Sequence, residues 1–252
     1  MPPCASNESA LAPATRDSYY RALVTLREAG LTFLVGGAYA LGCYTGIVRD
    51  TKDFDVFVHP RDVEKILAAL ARAGYTTELT DRVWLGKAFH GADLVDVIFS
   101  SGNGIATVDD EWFNYAVEGE LLGIPIKLIP AEEMIWSKSF VMTRDRYDGA
   151  DIAHVLNARA DQLDWVRLLR RFGPCWQVLY SHLILFEFIY PSGRARIPAS
   201  VMRELTDRQK VGLHLPPPSH RICQGTLLSS TQYEIDIDQW GWEDARRFTG
   251  AK

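Results

Sequence analysis

The sequence lacks several features that often classify a protein at once. Its four cysteines include no CxxC pair, so a structural zinc site is not expected. Its formal net charge is −5, which leaves no general basic field to hold a long nucleic acid. The longest apolar stretch, residues 179–190, is interrupted by His182 and Glu187 and is too short to span a bilayer. The first 18 residues also show no basic region followed by an apolar one, so we expect a cytoplasmic protein with no membrane partner.

The composition is that of an ordinary globular protein. The 252 residues are 47% hydrophobic and 23% charged, which suffices for one large domain or two small ones. Residues 1–15 are mostly small and polar, and we predict that they are disordered. Residues 16–130 alternate strand-like and helical patterns, whereas residues 131–252 are mainly helical and end in an irregular tail. The predicted fold class is therefore α/β (α+β), with a core of a mixed sheet and flanking helices, followed by a mainly helical lobe.

Periodicity also predicts the bounds of the single elements. Apolar and alternating runs predict strands at 31–35, 54–58, 75–79, 83–89, 94–99 and 124–129. Helical spacing predicts helices at 16–29, 38–46, 63–74, 131–139, 149–156, 165–172, 175–188 and 199–205. No element is assigned to residues 215–231.

Two aspartates stand two positions apart at the start of a predicted strand, in the segment KDFDV. Because side chains alternate along a strand, Asp53 and Asp55 point to the same face. Two carboxylates held this close repel each other unless a cation or a proton lies between them. Mg²⁺ or Mn²⁺ suits such hard oxygen ligands. The alternative is a solvated acid pair at a strand end that binds nothing.

A third aspartate lies inside an apolar run, LVDVIF. An isolated ionised carboxylate at a buried position is costly, so Asp96 should have a partner. A metal shared with Asp53 and Asp55 would supply that partner if the two strands are neighbours. Two alternatives remain: the alternation turns Asp96 to solvent, or Asp93, at a more exposed position, is the third acid.

A glycine pair follows the first predicted strand and precedes a helix. Glycines allow backbone N–H groups to approach an anion closely, and a triphosphate is the natural ligand of such a turn. Fifteen residues separate Gly37 from Asp53, enough for a short helix and a turn. The turn and the acids are therefore expected to lie side by side, although a purely structural role for Gly36-Gly37 is the alternative.

In this order and spacing, the segment FLVGGAYALGCYTGIVRDTKDFDVFV resembles the signature of the DNA-polymerase-beta-type nucleotidyltransferase superfamily. It is especially similar to a small bacterial branch with uncharacterised and toxin-type members. That branch has the pattern Gly-Gly, apolar helix, Gly, Arg-x-Thr-x-Asp-x-Asp. The matching positions are Gly36, Gly37, Gly46, Arg49, Thr51, Asp53 and Asp55, and Asp96 stands where the third acid would lie.

The resemblance implies transfer of a nucleoside monophosphate from an NTP to an acceptor hydroxyl, with release of pyrophosphate. Asp53, Asp55 and Asp96 would be the catalytic residues and would hold Mg²⁺ or Mn²⁺ as cofactor. The amides of Gly36 and Gly37 would hold the phosphates.

The resemblance places further residues near the nucleotide. Thr51 and Arg49 would belong to the nucleotide-binding turn, where Arg49 either clamps a phosphate or braces Asp55, and we favour the brace. The segment WSKSFVMTRDRYDGADIAHVL resembles a helical segment of the same enzymes, in which Lys138 would contact phosphate and the nucleotide would lie between the lobes. Three downstream acids are weaker matches, namely Asp145, Asp148 and Asp151.

The resemblance leaves the acceptor open: a small molecule such as an aminoglycoside, an RNA end or a protein side chain. A partner of the toxin–antitoxin type is a further reading. The alternative to an enzyme is a catalytically inactive nucleotide- or partner-binding protein on the same scaffold, which three retained acids argue against. Lys87 is a candidate acceptor or phosphate contact. The arginines of helix 165–172 either contact RNA or form a solvated or salt-bridged face.

Overall fold

A computed structural model describes residues 11–249. Most of the segment predicted to be disordered, residues 1–10, lies outside the described residues. The contacts divide the chain into two compact units, Met1–Pro130 and Ala131–Lys252, each with its own hydrophobic core. Over the described range, no helix combines the length and the apolar character that a bilayer crossing requires.

The first unit alternates helices and strands along the chain. Its helices are α1 (Pro13–Glu28), α2 (Gly37–Thr45), α3 (Val63–Arg72) and α4 (Asp110–Asn114). Its strands are β1 (Leu34–Val35), β2 (Asp53–Phe57), β3 (Thr76–Asp81), β4 (Leu85–His90), β5 (Asp93–Ile98), β6 (Val117–Leu121) and β7 (Ile124–Leu128).

These strands form one seven-stranded sheet in the order β3-β4-β5-β2-β1-β7-β6. The pairs β2–β5 and β1–β7 are parallel, and the other neighbouring pairs are antiparallel. The mixed sheet with flanking helices confirms the predicted α/β (α+β) fold class.

One face of the central strands is apolar and is covered by helices. Phe54 and Val56 of β2 are fully buried, as are their register partners Val95 and Val97 of β5. Tyr19 of α1 stacks on Phe54 with ring centroids 5.1 Å apart. Burial of each such side chain contributes about 1.5–3 kcal/mol, and a one-residue slip would turn all of them to the other face. The apolar face therefore sets the register and directs the three aspartates to the opposite face.

The first unit departs from the predicted elements at strand β1, at the start of α1, and at α4 and β6. Strand β1 covers Leu34–Val35, where residues 31–35 were predicted. Helix α1 begins at Pro13, so the described residues 13–15 are helical and the prediction of disorder is wrong there; proline is favoured in a first helical turn. Helix α4 and strand β6 were not predicted. Strand β6 reads VEGEL and carries little apolar signal, and its place is set by the two-residue turn of Leu122 and Gly123, both with positive φ.

The second unit is mainly helical. Its helices are α5 (Ala131–Lys138), α6 (Gly149–Arg159), α7 (Trp165–Phe172), α8 (Trp176–Ile189), α9 (Ala199–His214) and α10 (Glu234–Asp238). Two short parallel strands, β8 (Ile222–Cys223) and β9 (Glu243–Asp244), pair in its C-terminal part.

Helix α9 continues to His214, well beyond the predicted end at residue 205. The apolar pattern stops at Leu205, which is buried, while the later turns are exposed. Ion pairs at helical spacing support these turns, including Lys210 with Asp207 at 3.0 Å. A helix held by surface charges gives no amphipathic signal in the sequence.

A buried group of charges joins α5 to α7. The Arg167 guanidinium, 4% exposed, is bonded to the fully buried Glu133 and contacts Glu132 at 2.5 Å. Arg171 donates from Nε to Glu133 at 3.0 Å and lies over the Trp136 ring at 5.0 Å. Burial raises the pKa of Glu133, and the hydrogen bonds and charges of the two arginines oppose that rise. Arg167 and Arg171 therefore form salt bridges, as one of the two predictions for this helix has it.

Replacing Arg167 by alanine is expected to lower the free energy of unfolding by about 3–5 kcal/mol, because it leaves Glu133 buried without its main partner. Denaturant unfolding monitored by circular dichroism measures the change. Arg203→Ala, at an exposed position on helix α9 of the same unit, is the matched control and should change stability by at most about 0.5 kcal/mol. Equal effects of the two changes would contradict the structural role of the cluster.

Candidate active site

The parallel pairing of β2 with β5 brings the three predicted acids together. Asp55 lies directly opposite Asp96, and Asp53 lies opposite Leu94. One carboxylate oxygen from each of Asp53, Asp55 and Asp96 lies within 4.8 Å of the others. Asp93, the competing third acid, stands three positions before Asp96 and so points to the opposite face. The structure thus groups Asp96, and not Asp93, with the Asp-x-Asp pair.

The three carboxylates have the chemistry and spacing of a divalent-cation site. Ligands of one Mg²⁺ lie about 2.1 Å from the ion, so two ligands across it are about 4.2 Å apart. Oxygens within 4.8 Å of one another reach that spacing by small side-chain rotations. Three carboxylates at this distance repel one another, and a divalent cation relieves that repulsion.

Thr51 holds the first of these acids. Its hydroxyl is 2.6 Å from Oδ1 of Asp53 and 3.0 Å from the Asp53 carbonyl oxygen. This contact fixes the carboxylate at the start of β2. In the structure Thr51 therefore orients an acid, and its predicted contact with the nucleotide stays a prediction.

The glycine pair packs directly against strand β2. Gly37 has φ +54°, and a Cβ built on it would lie 1.7 Å from Oδ2 of Asp55. At Gly36, a Cβ would lie 2.2 Å from the ring of Phe57, which stacks on Trp112. Neither position has room for a side chain while Asp55 and Phe57 keep their places.

The amides of the turn differ in what they can bind. The Gly36 N–H donates to the carbonyl oxygen of Asp55 at 3.0 Å, so this amide serves the sheet. The first helical bond of α2 runs from the Ala40 N–H to the Gly36 carbonyl oxygen at 3.1 Å. The amides of residues 37–39 precede that bond, and no carbonyl of the helix is available to them. Together with the helix dipole, these three amides can attract a phosphate. The candidate phosphate-binding amides are therefore those of residues 37–39 and not that of Gly36.

The acids also affect Tyr19, which packs on the helix-covered face of the sheet. Burial raises the pKa of the Tyr19 hydroxyl, and nearby charges raise it further, those of Tyr39, Asp93, Asp53 and Asp55. Tyr19 is therefore neutral at physiological pH and stays a packing residue of the core.

Two further predicted site residues, Arg49 and Lys138, lie outside the strands that carry the three acids. Arg49 is exposed in the segment between α2 and β2. Lys138, in the second unit, pairs with Asp148 at 2.8 Å and with Asp151 at 2.9 Å. Arg146 donates to Asp148 from Nε at 2.9 Å. The ammonium of Lys138 would have to share its charge with two carboxylates if it contacted a phosphate.

Lys87 of strand β4 lies next to the third acid, a contact that the sequence did not predict. Its ammonium lies 3.0 Å from Oδ1 of Asp96. The signal that locates it is the hairpin turn at Gly91-Ala92, since two loop residues between His90 and Asp93 set Lys87 opposite Asp96.

Comparisons with known proteins give weak structural likeness. No protein-family model matches the chain, and no curated protein matches it. Among solved structures, lincomycin-bound lincosamide antibiotic adenylyltransferase LnuA is 17% identical over 56% of this chain and 96% of its own, with a TM-score of 0.41. The antibiotic-resistance factor ANT(2'')-Ia is 15% identical over 68% and 96%, with a TM-score of 0.46. JHP933 from Helicobacter pylori is 13% identical over 79% and 95%, with a TM-score of 0.41.

These neighbours include enzymes of the class that the motif resembles. LnuA is an adenylyltransferase by name, and ANT(2'')-Ia has also been solved in complex with adenylyl-2''-tobramycin. Adenylyl transfer is one form of nucleotidyl transfer. The TM-scores of these neighbours are all below 0.5, so their activities are not transferred to this chain.

A substitution at Gly37 tests the contact between the turn and the acids. Gly37→Ala combines a strained φ with a clash against Asp55, and we expect a loss of about 2–4 kcal/mol in the free energy of unfolding. Gly46→Ala is the matched control, because Gly46 has φ +74° and no atom within 4 Å of an added Cβ. The control should lose about 1–2 kcal/mol from strain alone. If urea unfolding gave equal losses in the free energy of unfolding for the two variants, Asp55 would not clash with a side chain at position 37.

The ion pairs of Asp148 with Lys138 and Arg146 predict that the stability of the second unit depends on pH. Burial raises the pKa of Asp148, but hydrogen bonds and charges from Arg146 and Lys138 outweigh it and lower the pKa overall. A carboxyl with a lowered pKa in the folded state stabilises the fold above its unfolded pKa of about 3.9. That contribution is lost as pH falls through the folded value. Urea midpoints measured below about pH 4 should therefore fall more steeply for the parent than for Asp148→Asn, and parallel curves would exclude the cluster as the cause.

Proposed function

We propose that the first unit transfers a nucleoside monophosphate from an NTP to an acceptor hydroxyl and releases pyrophosphate, with Mg²⁺ or Mn²⁺ as cofactor. One observation carries the proposal: Asp53, Asp55 and Asp96 converge on one face of the sheet, and Asp55 lies against the N-terminal turn of α2. This arrangement combines cation ligands with amides that attract phosphate. An NTP bound to a divalent cation presents both partners at once.

The residues of the first unit divide the work. A divalent cation held by the three carboxylates would offset the negative charge of the triphosphate. The amides of residues 37–39 would donate hydrogen bonds to phosphate oxygens, and Gly37 leaves the space in which Asp55 lies against that turn. Thr51 orients Asp53.

The transfer reaction needs one group of the chain to accept a proton. The acceptor oxygen forms a bond to the α-phosphorus, while the bond from that phosphorus to the bridging oxygen breaks and its electron pair leaves with pyrophosphate. Asp96 accepts the proton of the acceptor hydroxyl. Removing this proton as the new bond forms makes the oxygen a better nucleophile.

The proposal leaves three classes of acceptor to be separated by experiment: small molecules, RNA ends and protein side chains. Lys138 as a phosphate contact and Arg49 as a brace of Asp55 stay predictions. An inactive scaffold on the same fold is the competing function. It would bind a nucleotide or a partner without transferring label, whereas the enzyme would label one acceptor class.

Replacing any one of the three acids is expected to abolish transfer. The assay incubates the full chain with α-labelled NTPs and Mg²⁺, and supplies small-molecule, RNA and protein fractions of a lysate separately. Asp53→Asn, Asp55→Asn and Asp96→Asn should each lower labelling at least about 100-fold, because each removes a charge that stabilises the transition state.

Asp93→Asn is the matched control, because Asp93 lies on β5, like Asp96, but on the opposite face of the sheet. It should label like the parent. If Asp55→Asn also labelled like the parent, the assignment of the site would be wrong. If the parent bound NTP in the presence of Mg²⁺ but labelled no fraction, the inactive scaffold would be favoured.

A further inference from the structure

A row of charged positions crosses the sheet from its β3 edge to the three acids. Glu78 of β3 lies opposite Lys87 of β4, and Lys87 lies opposite Asp96 of β5. Asp96 in turn lies opposite Asp55 of β2. Directly opposed residues on neighbouring strands have their side chains on the same face. A cation therefore stands in this row between the acidic site and the edge of the sheet.

The contact between this cation and the third acid is close and largely withdrawn from water. Nζ of Lys87 lies 3.0 Å from Oδ1 of Asp96, and the two side chains are 22% and 13% exposed. Charges attract more strongly at such a site than at a solvated surface, because the surroundings are less polarisable than water. The pair is also set by the backbone, since the antiparallel register of β4 and β5 keeps the two residues opposite each other. Lys87 is therefore a fixed neighbour of Asp96.

A metal ion and the Lys87 ammonium are alternative partners for Asp96 Oδ1. Both are cations, and an oxygen that accepts a hydrogen bond from the ammonium is a weaker ligand for an ion. The net charge of the site also favours a single divalent ion. Three carboxylates carry three negative charges, and one lysine and one divalent ion together balance them. A second divalent ion would leave excess positive charge until a triphosphate brings its own negative charge.

We propose that Lys87 is a positioning residue that acts through Asp96. Its ammonium holds the Asp96 carboxylate so that, without nucleotide, the site binds one divalent ion through Asp53 and Asp55. The inference rests on the proposed function, because it concerns the same three acids. It differs from a phosphate contact, in which Lys87 would leave Asp96 and touch the triphosphate.

The test measures Mn²⁺ binding to the nucleotide-free full-length chain by electron paramagnetic resonance of the unbound ion. Lys87→Met removes a positive charge that repels the ion, so the variant should bind Mn²⁺ about ten-fold more tightly or take up a second ion. Lys87→Arg keeps the charge and should bind like the parent. A merely structural lysine would give the opposite result, since its loss would disorder the acids and weaken binding.

Two further variants keep the result interpretable. Lys127→Met is the matched control, because Lys127 lies on strand β7 of the same sheet with a half-exposed side chain. It should leave Mn²⁺ binding unchanged. Lys87→Gln is the substitute if Lys87→Met does not fold, as judged by circular dichroism, and the same gain in affinity is expected of it.

The outcomes separate the two proposals. Mn²⁺ binding that is unchanged or weaker in Lys87→Met overturns the role of Lys87. Unchanged Mn²⁺ binding together with a ten-fold loss in affinity for NTP identifies a phosphate contact instead. If the parent and Asp55→Asn bind Mn²⁺ equally well, the acids are not the metal site and the proposed function itself fails, whatever the Lys87 variants show.

Discussion

The structure of the first unit depends on the parallel pairing of β2 with β5. The helix-covered face of these strands consists of Phe54, Val56 and their partners on β5, whose burial fixes the register. The opposite face then carries Asp55 directly against Asp96. Hydrophobic burial on one side of the sheet thus holds like charges together on the other. The apolar core provides the free energy that keeps a repulsive arrangement of acids in place.

The neighbours of the acids lower the cost of that repulsion before any ligand arrives. Thr51 donates a hydrogen bond to Asp53, and Lys87 places a positive charge against Asp96. Gly37 has no side chain, so Asp55 can lie against the start of α2, where the helix dipole favours negative charge. The three acids therefore have three different kinds of support. Because the supports differ, the acids need not bind a metal in the same way.

Sequence patterns predicted the elements that carry strong periodicity and missed those that do not. Buried strands such as β2 and β5 are apolar runs, and their bounds agree within one or two residues. Strand β6 has glycine and glutamates between its two apolar ends, and the later turns of α9 are exposed, so neither produces a pattern. The site was predictable in its acids and glycines because order and spacing carry that information. The use of the Gly36 amide in the sheet, and of Thr51 as a support for Asp53, required coordinates.

The sequence by itself determined the chemical types in the site, their order and the face on which Asp53 and Asp55 lie, because alternation along one strand is a local property of the backbone. The tertiary structure decided which strands are neighbours. That choice placed Asp96 beside the pair, directed Asp93 to the other face and set Lys87 against Asp96. Strand neighbours are selected by burial of residues far apart in the chain, and spacing along a single sequence does not contain that selection.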